Sequence, residues 1–167
     1  MNSLAIAILG FVTVQRLAEL VLSRRNTKRL LADGAQEHGA SHYPLLVGLH
    51  AAWLAALWWW APGQPVNVAL LALFALLQLG RIWVIATLGP RWTTRIIVKP
   101  GAPLVRAGPY RFVNHPNYWI VAAEIAVLPL VFGLIALALV VSLLNLVILA
   151  VRIRAENAAL RNLRAPA

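Results

Sequence analysis

Apolar residues run along this chain in four blocks separated by short polar segments. The first spans Leu4 to Leu22, the second Tyr43 to Trp60 and the third Val66 to Leu88. Each approaches the roughly 20 apolar residues that a helix needs to cross the hydrocarbon core of a bilayer. The fourth, Asn117 to Val151, is too long for one such helix and too short for two full ones with a loop. Pro129 and Gly133 lie inside it, and an internal proline removes a backbone donor and clashes with the preceding turn. This block therefore predicts a tight helical hairpin. The whole pattern predicts an all-α integral membrane protein with about five transmembrane helices, near residues 4–22, 43–60, 66–88, 117–130 and 133–157. It predicts a single membrane domain over residues 1–167, without an internal repeat. The one sizeable loop, residues 89–116, holds four prolines and three glycines between Gly89 and Val113. That composition predicts a structured linker rather than a helix.

Composition supports the bilayer over water. The chain has 167 residues, 61% of them hydrophobic and 12% charged, with a mean hydropathy of +0.76. A soluble domain of this size cannot hide so much apolar surface, whereas lipid receives it directly. The first block has no basic segment before it and arginines rather than small residues after it, so it reads as a retained helix and not a cleaved signal. The absence of cysteine excludes disulfides, thiolate metal sites and thiol nucleophiles.

The net charge of +10 raises nucleic acid as a partner, and its distribution argues against it. Basic residues sit in short segments beside the apolar blocks. Arg24, Arg25, Lys28 and Arg29 follow the first; Arg91, Arg95, Lys99, Arg106 and Arg111 follow the third; Arg152, Arg154, Arg161 and Arg164 close the chain. The second and third are joined by the uncharged turn Ala61 to Pro65. By the positive-inside rule the amino terminus is expected outside, with the linker and carboxyl terminus cytoplasmic. The Ala/Leu/Arg-rich composition is compatible with a GC-rich bacterium, whose inner membrane is the expected location, and a homo-oligomer is an open expectation. Trp58, Trp59 and Trp60 read as an aromatic anchor at the outer interface.

Ionisable residues inside apolar spans are costly and mark function or helix pairing. Arg16 and Glu19 in the first block share a helical face, as do Gln78 and Arg81 in the third. His50 and Glu124 each lie seven residues into their blocks, and Asn145 lies seven before Arg152. At helical rise these groups share a layer about 10 Å below the cytoplasmic surface. For Arg16, Glu19, Gln78 and Arg81 the favoured reading is glue between helices. Asn145, Arg152 and Glu156, spaced seven and four apart, also share a face; Arg152 and Glu156 sit at the mouth of the layer, where function is favoured. His38 and His42 are four apart with Glu37 adjacent, but no further ligand fixes a geometry, and no metal is expected.

The richest stretch is Gly108-Pro109-Tyr110-Arg111-Phe112-Val113-Asn114-His115-Pro116-Asn117-Tyr118-Trp119. Gly-Pro makes a turn, and His115 before proline is biased towards an extended conformation. Asn117 can cap the helix that follows. A helix start flanked by a histidine and two tyrosines suits an anionic group, although a structured re-entry loop with interfacial aromatics would look the same. Together with Arg152-Ile153-Arg154-Ala155-Glu156, this stretch resembles the isoprenylcysteine carboxyl methyltransferase family, in the same order and from about Arg81 onward. The resemblance implies S-adenosylmethionine bound by a cytoplasmic linker and the last helices, with a lipid acceptor arriving from the bilayer. It puts His115, Pro116 and Tyr118 at the cofactor, with Tyr110 and the Leu104-Val105 segment nearby and Asn145 assigned to the same pocket. Arg152 and Glu156 match the family's arginine and glutamate beside the methyl acceptor.

Two positions depart from the family's usual pattern: Asn114 stands where arginine is usual, and Asn157 where a second glutamate is common. These departures bear on the acceptor more than on the cofactor. With Gln15-Arg16-Leu17-Ala18-Glu19 and Trp92-Thr93-Thr94-Arg95, the chain looks closest to a small bacterial branch often linked with type III polyketide synthases. That likeness implies O-methylation of an alkylpyrone or phenolic lipid, with a prenylated carboxylate second. Arg152 would stabilise an oxyanion, and Glu156 would act as a base or as a partner of Arg152. The alternatives are an NADPH-dependent membrane sterol-type reductase, whose members resemble the His-Pro-x-Tyr segment, and a small transporter or assembly subunit.

Overall fold

A computed structural model of the chain describes residues 2–162; Arg164, the last basic residue counted above, lies outside them. Five helices carry the fold: α1 (Ser3–Ala32), α2 (Tyr43–Trp60), α3 (Val68–Leu88), α4 (Pro116–Val131) and α5 (Ile135–Asn162). Among the described residues, three stretches are long and apolar enough to cross a membrane: Ser3–Ala32, Val68–Arg91 and Ile135–Arg161. The α4 helix is a shorter apolar one. The protein is thus an all-α integral membrane protein, and its outward face is correspondingly apolar, with Phe11, Val14, Leu76, Leu79, Leu143 and Val147 all exposed.

The helices run up and down. The Asn2 backbone N–H donates to the Pro62 carbonyl at 2.7 Å, and the Asn67 N–H donates to the Val131 carbonyl at 2.8 Å. The start of α1, the α2–α3 turn and the end of α4 therefore share one end of the bundle, hereafter the turn end. At this end Asn2 and Asn67 cap α1 and α3 through their side-chain oxygens, which accept from Leu4 and Leu70 at 3.1 Å each. The α4–α5 hairpin closes on Gly133, whose φ of 68° suits a residue without Cβ. The Gly133 and Leu134 N–H groups donate back to Leu130 and Pro129 at 3.0 Å each, the bond pattern that ends a helix on a left-handed residue. Leu9, Trp53, Leu57, Ile125 and Leu128 pack as the core.

Two features differ from the expectations above. The first helix continues ten residues past Leu22, because apolar character stops near the membrane surface while the arginines, lysine and leucines that follow remain good helix formers. Its extension also has something to hold. Ser23 and Asn26 are buried against the linker, Ser23 Oγ meeting Thr94 Oγ1 at 2.8 Å and Asn26 Nδ2 donating to the Trp92 carbonyl at 2.8 Å. Secondly, the chain is not purely helical. Strand β1 (Gln36–His38) pairs antiparallel with β2 (Ile96–Val98) in the linker, tying the α1–α2 connection to the α3–α4 connection. His38 therefore sits on a strand and His42 on a 3₁₀ turn, so they share no helical face.

Inside the bundle the polar layer becomes a single network joining α1, α3 and α4. Arg81 is bonded through its guanidinium to both oxygens of Glu19 and donates to Glu124 Oε2 at 2.9 Å. Arg16 donates to the same Glu124 oxygen at 2.7 Å and meets Glu19 at 3.3 Å. Gln78 donates to Glu124 Oε1 at 2.8 Å and accepts from Gln15 at 2.6 Å. Two cations thus balance two anions, with Glu124 fully buried. The helix-glue reading of Arg16, Glu19, Gln78 and Arg81 agrees with this geometry. His50 and Asn145 share the layer in sequence but stay out of the network: His50 bonds the carbonyl of Leu46 in its own helix, and the buried Asn145 side chain has no partner.

Removing one member of a buried charge pair leaves the other uncompensated, which costs about 3–5 kcal/mol. We therefore expect Glu124→Ala to lower the thermal midpoint in detergent sharply. Arg95→Ala, which breaks a half-exposed pair with Glu37, should change stability by no more than about 1 kcal/mol. Equal melting of Glu124→Ala and the unmodified protein would show that the network does not hold the bundle together.

Candidate active site

At the other end of the bundle, the linker, the start of α2 and the last turns of α5 enclose a cavity of about 1250 Å³. The path of the linker into it depends on a close approach. Gly108 has a φ of 52° and sits against α3, where a Cβ would collide with Thr87 Oγ1. Pro109 is buried behind it, and Tyr110 follows onto the cavity wall.

His115 is left-handed, at φ 55° and ψ 49°, and not extended as the following proline suggests. A non-glycine residue in this region is strained and needs outside support. The support comes from α5: His115 Nε2 meets Asn157 Oδ1 at 3.1 Å, and Nδ1 lies 3.5 Å from Glu156 Oε1. Pro116 begins α4, where its missing N–H has no intrahelical role. Asn117 consequently falls inside the first turn and is not the cap. Its Oδ1 is buried without a partner.

Tyr118, one turn along, donates to Glu156 Oε2 at 2.6 Å. Its ring stacks on His115 with centroids 5.5 Å apart, and the Arg152 guanidinium lies 5.8 Å from the same ring. Arg152 donates to the Thr94 carbonyl at 2.8 Å, while its Nε is buried and unpaired. Thr94 is itself held by Ser23 and by the Tyr43 hydroxyl at 3.0 Å. One linker residue thus joins α1, α2 and α5. The bond from His115 to Glu156 is the main cause that holds the imidazole above its ordinary pKa of 6.5, against the opposing effect of burial. Burial, helped by the Glu156 charge, pushes the Tyr110 phenol up, so it remains a donor.

Of the residues singled out from sequence, Leu104, Val105, Tyr110, His115, Tyr118, Arg152 and Glu156 all lie on the cavity wall. Pro116 and Asn145 do not: Pro116 faces a shallow groove on the other side with Trp83 and Trp119, and Asn145 lies deeper in the bundle. Sequence reading gave no role in the site to Tyr43, Thr94 or Asn157. Their contributions are a linker carbonyl and cross-element hydrogen bonds, which no spacing within one helix reveals. Chemically, the wall offers a carboxylate with both oxygens engaged, a stacked imidazole–phenol pair and a guanidinium beside apolar side chains.

The profile of the isoprenylcysteine carboxyl methyltransferase (ICMT) family matches residues 70–162, the segment that carries all of these side chains except those of α1, α2 and their connection. The chain is 36% identical over 167 aligned residues to an uncharacterized protein, YpbQ, of Bacillus subtilis (strain 168), covering 92% of this chain and 95% of that relative. It is 32% identical over 157 residues to an uncharacterized protein of Haemophilus influenzae, covering 89% and 90% respectively. No solved structure matches it significantly. The family match, the motif from Gly108 to Trp119 and the Arg152–Glu156 pair agree, and the chain belongs to the isoprenylcysteine carboxyl methyltransferase family.

Proposed function

We propose that this protein transfers a methyl group from S-adenosylmethionine to an oxygen of an amphiphilic lipid whose tail stays in the bilayer. The observation that carries the reading is the continuity of the cavity. From Glu156 and His115 it runs to a slot between α1 and α2, where Leu17 and Val47 line it. These two residues are 58% and 38% exposed, which supports an opening of the slot towards lipid. Towards the turn end a hydrogen bond from Trp58 Nε1 to Thr13 Oγ1, 3.0 Å long, closes it. Each CH₂ kept from water in such a slot contributes about 0.8 kcal/mol. The basic linker supports a cytoplasmic position for the other end of the cavity.

The wall suits the cofactor. An amino-acid-bearing sulfonium needs a carboxylate and aromatic faces for its positive charge, and donors and acceptors for its polar groups. Glu156 and the His115–Tyr118 stack supply the former, with Tyr110, Leu104 and Val105 beside them. The polar side chains of Arg152 and Asn117, on the same wall, are candidates for the latter. When bound, the cofactor supplies a methyl group on a positively charged sulfur, open to in-line displacement. In this reading Arg152, anchored on the Thr94 carbonyl, orients the acceptor oxygen, and Glu156 keeps His115 and Tyr118 in position. Catalysis then comes chiefly from holding two reactants in register and keeping water out. An alkylpyrone or phenolic lipid is the first choice of acceptor and a prenylated carboxylate the second.

Three measurements test this. Calorimetric titration of the detergent-purified protein should give saturable binding of S-adenosylhomocysteine; silence with that ligand and saturable NADPH binding would favour the reductase instead. Arg152→Ala should lower kcat by about a hundredfold while S-adenosylhomocysteine affinity stays within about threefold. His115→Ala should instead weaken that affinity about tenfold, and equal losses of affinity in both variants would refute the division of roles. The third concerns pH. A group whose pKa is raised on folding stabilises the fold fully below its ordinary value, and that contribution fades as pH rises through the raised one. The stability advantage of the native protein over His115→Gln should thus be greatest below pH 6.5 and shrink above it. An advantage that grows with pH would contradict the Glu156–His115 pairing.

A further inference from the structure

Four side chains on the cavity wall carry a carboxylate or an imidazole: Glu19, His50, His115 and Glu156. Three have their polar atoms engaged. Both oxygens of Glu19 are bonded by Arg81, those of Glu156 are met by Tyr118 and His115, and the nitrogens of His115 face Glu156 and Asn157. His50 differs. Its Nδ1 lies 2.8 Å from the Leu46 carbonyl, which can only accept, so Nδ1 carries the proton. In the uncharged ring, the dominant form of an ordinary imidazole at neutral pH, Nε2 then presents a lone pair. Among the described residues nothing donates to it. Trp53 packs edge-on against the ring with centroids 6.4 Å apart, which holds it in place, and the indole N–H of Trp53 is also without a partner.

The location adds meaning to that lone pair. His50 shares a face of α2 with Val47 and Leu54, which line the lipid-facing slot opposite Leu17. Arg152, the residue proposed to orient the acceptor oxygen, lines the same cavity. Resting on the methyltransferase reading, we infer that His50 Nε2 accepts a hydrogen bond from a hydroxyl on the head of the lipid acceptor. The protein is thereby selective for a protonated oxygen over a carboxylate of equal chain length. A carboxylate has no proton to offer and would set its own lone pairs against that of Nε2. A site built around a substrate hydroxyl discriminates strongly against analogues that lack one.

The test uses the full-length protein with a long-chain alkylphenol as acceptor and the fatty acid of the same chain length as competitor. His50→Phe keeps the ring volume and removes the acceptor atom. It should raise KM for the alkylphenol about tenfold and leave the inhibition constant of the fatty acid and the affinity for S-adenosylhomocysteine unchanged. His50→Gln, whose amide oxygen reaches a similar position, should bring KM back to within about threefold of the native value. An unchanged KM in His50→Phe, or a parallel loss of alkylphenol and fatty acid, would overturn the assignment, since the second outcome reports a damaged slot. So would a native protein that binds S-adenosylhomocysteine but methylates no alkylphenol. Failure of the native protein to bind S-adenosylhomocysteine is a separate result and brings down the methyltransferase reading itself.

Discussion

Four charged side chains that meet where water is scarce must neutralise one another. Arg16, Arg81, Glu19 and Glu124 do so across three helices, with Gln15 and Gln78 taking up further hydrogen-bonding capacity. The desolvation penalty of each charge is large, so α1, α3 and α4 are held in one relative register. A shift by one residue in any of them would turn a charge towards lipid. The α2 helix contributes nothing to this network. It packs through Trp53 and Leu57 into the apolar core, and beside α1 it leaves the slot that Leu17, Val47 and Leu54 line. The bundle therefore combines a fixed frame with one helix pair left open along part of its length.

That frame extends to the linker. The α1 helix passes through the network at Arg16 and Glu19 and then, beyond Leu22, offers Ser23 and Asn26 to residues 89–94. Its rigidity carries the position of the buried charges to Thr94, and Thr94 passes it to Arg152 and Tyr43. The β1–β2 pairing closes the same connection from the side. A loop rich in proline and glycine thereby holds a defined shape without being helical. The strained His115 is affordable in this setting because α5 grips both of its nitrogens.

Much of this was legible in the residue order. The four apolar blocks are helical, the last as a hairpin of two helices, and among the described residues three stretches have the length and hydrophobicity that bilayer thickness demands. The Arg16–Glu19 and Gln78–Arg81 faces were readable from helical spacing, and their mutual contact followed from a shared depth. Seven of the nine site residues named from sequence reach the cavity. What escaped has a common cause. The extension of α1 is polar, and its burial depends on a linker distant in sequence; the strand pair joins three-residue segments far too short to show periodicity. Asn145 shares a helical face with Arg152 and Glu156, but a face about three turns long runs from the cavity wall into the packed bundle. His115 shows the limit of a local rule. The bias set by Pro116 is weaker than the side-chain bonds that Glu156 and Asn157 supply.

In the proposed reaction the positions of the two reactants follow from their solubilities. A charged, water-soluble methyl donor cannot enter the hydrocarbon, and a long-chain acceptor cannot leave it, so a reaction between them belongs at the boundary. The α5 helix crosses that boundary in one continuous piece, placing Leu149 on the apolar side of the cavity and Arg152, Glu156 and Asn157 further out along its wall. A helix with a 1.5 Å rise per residue spaces Leu149 and Glu156 by about 10 Å, the scale over which water gives way to lipid tails. The side chains required to be polar and the one required to be apolar are thus set apart by the rise of a single helix. The open slot between α1 and α2 then has one task, to admit the tail without admitting water. Its wall of leucine and valine, closed towards the turn end by the Trp58–Thr13 bond, is suited to that task.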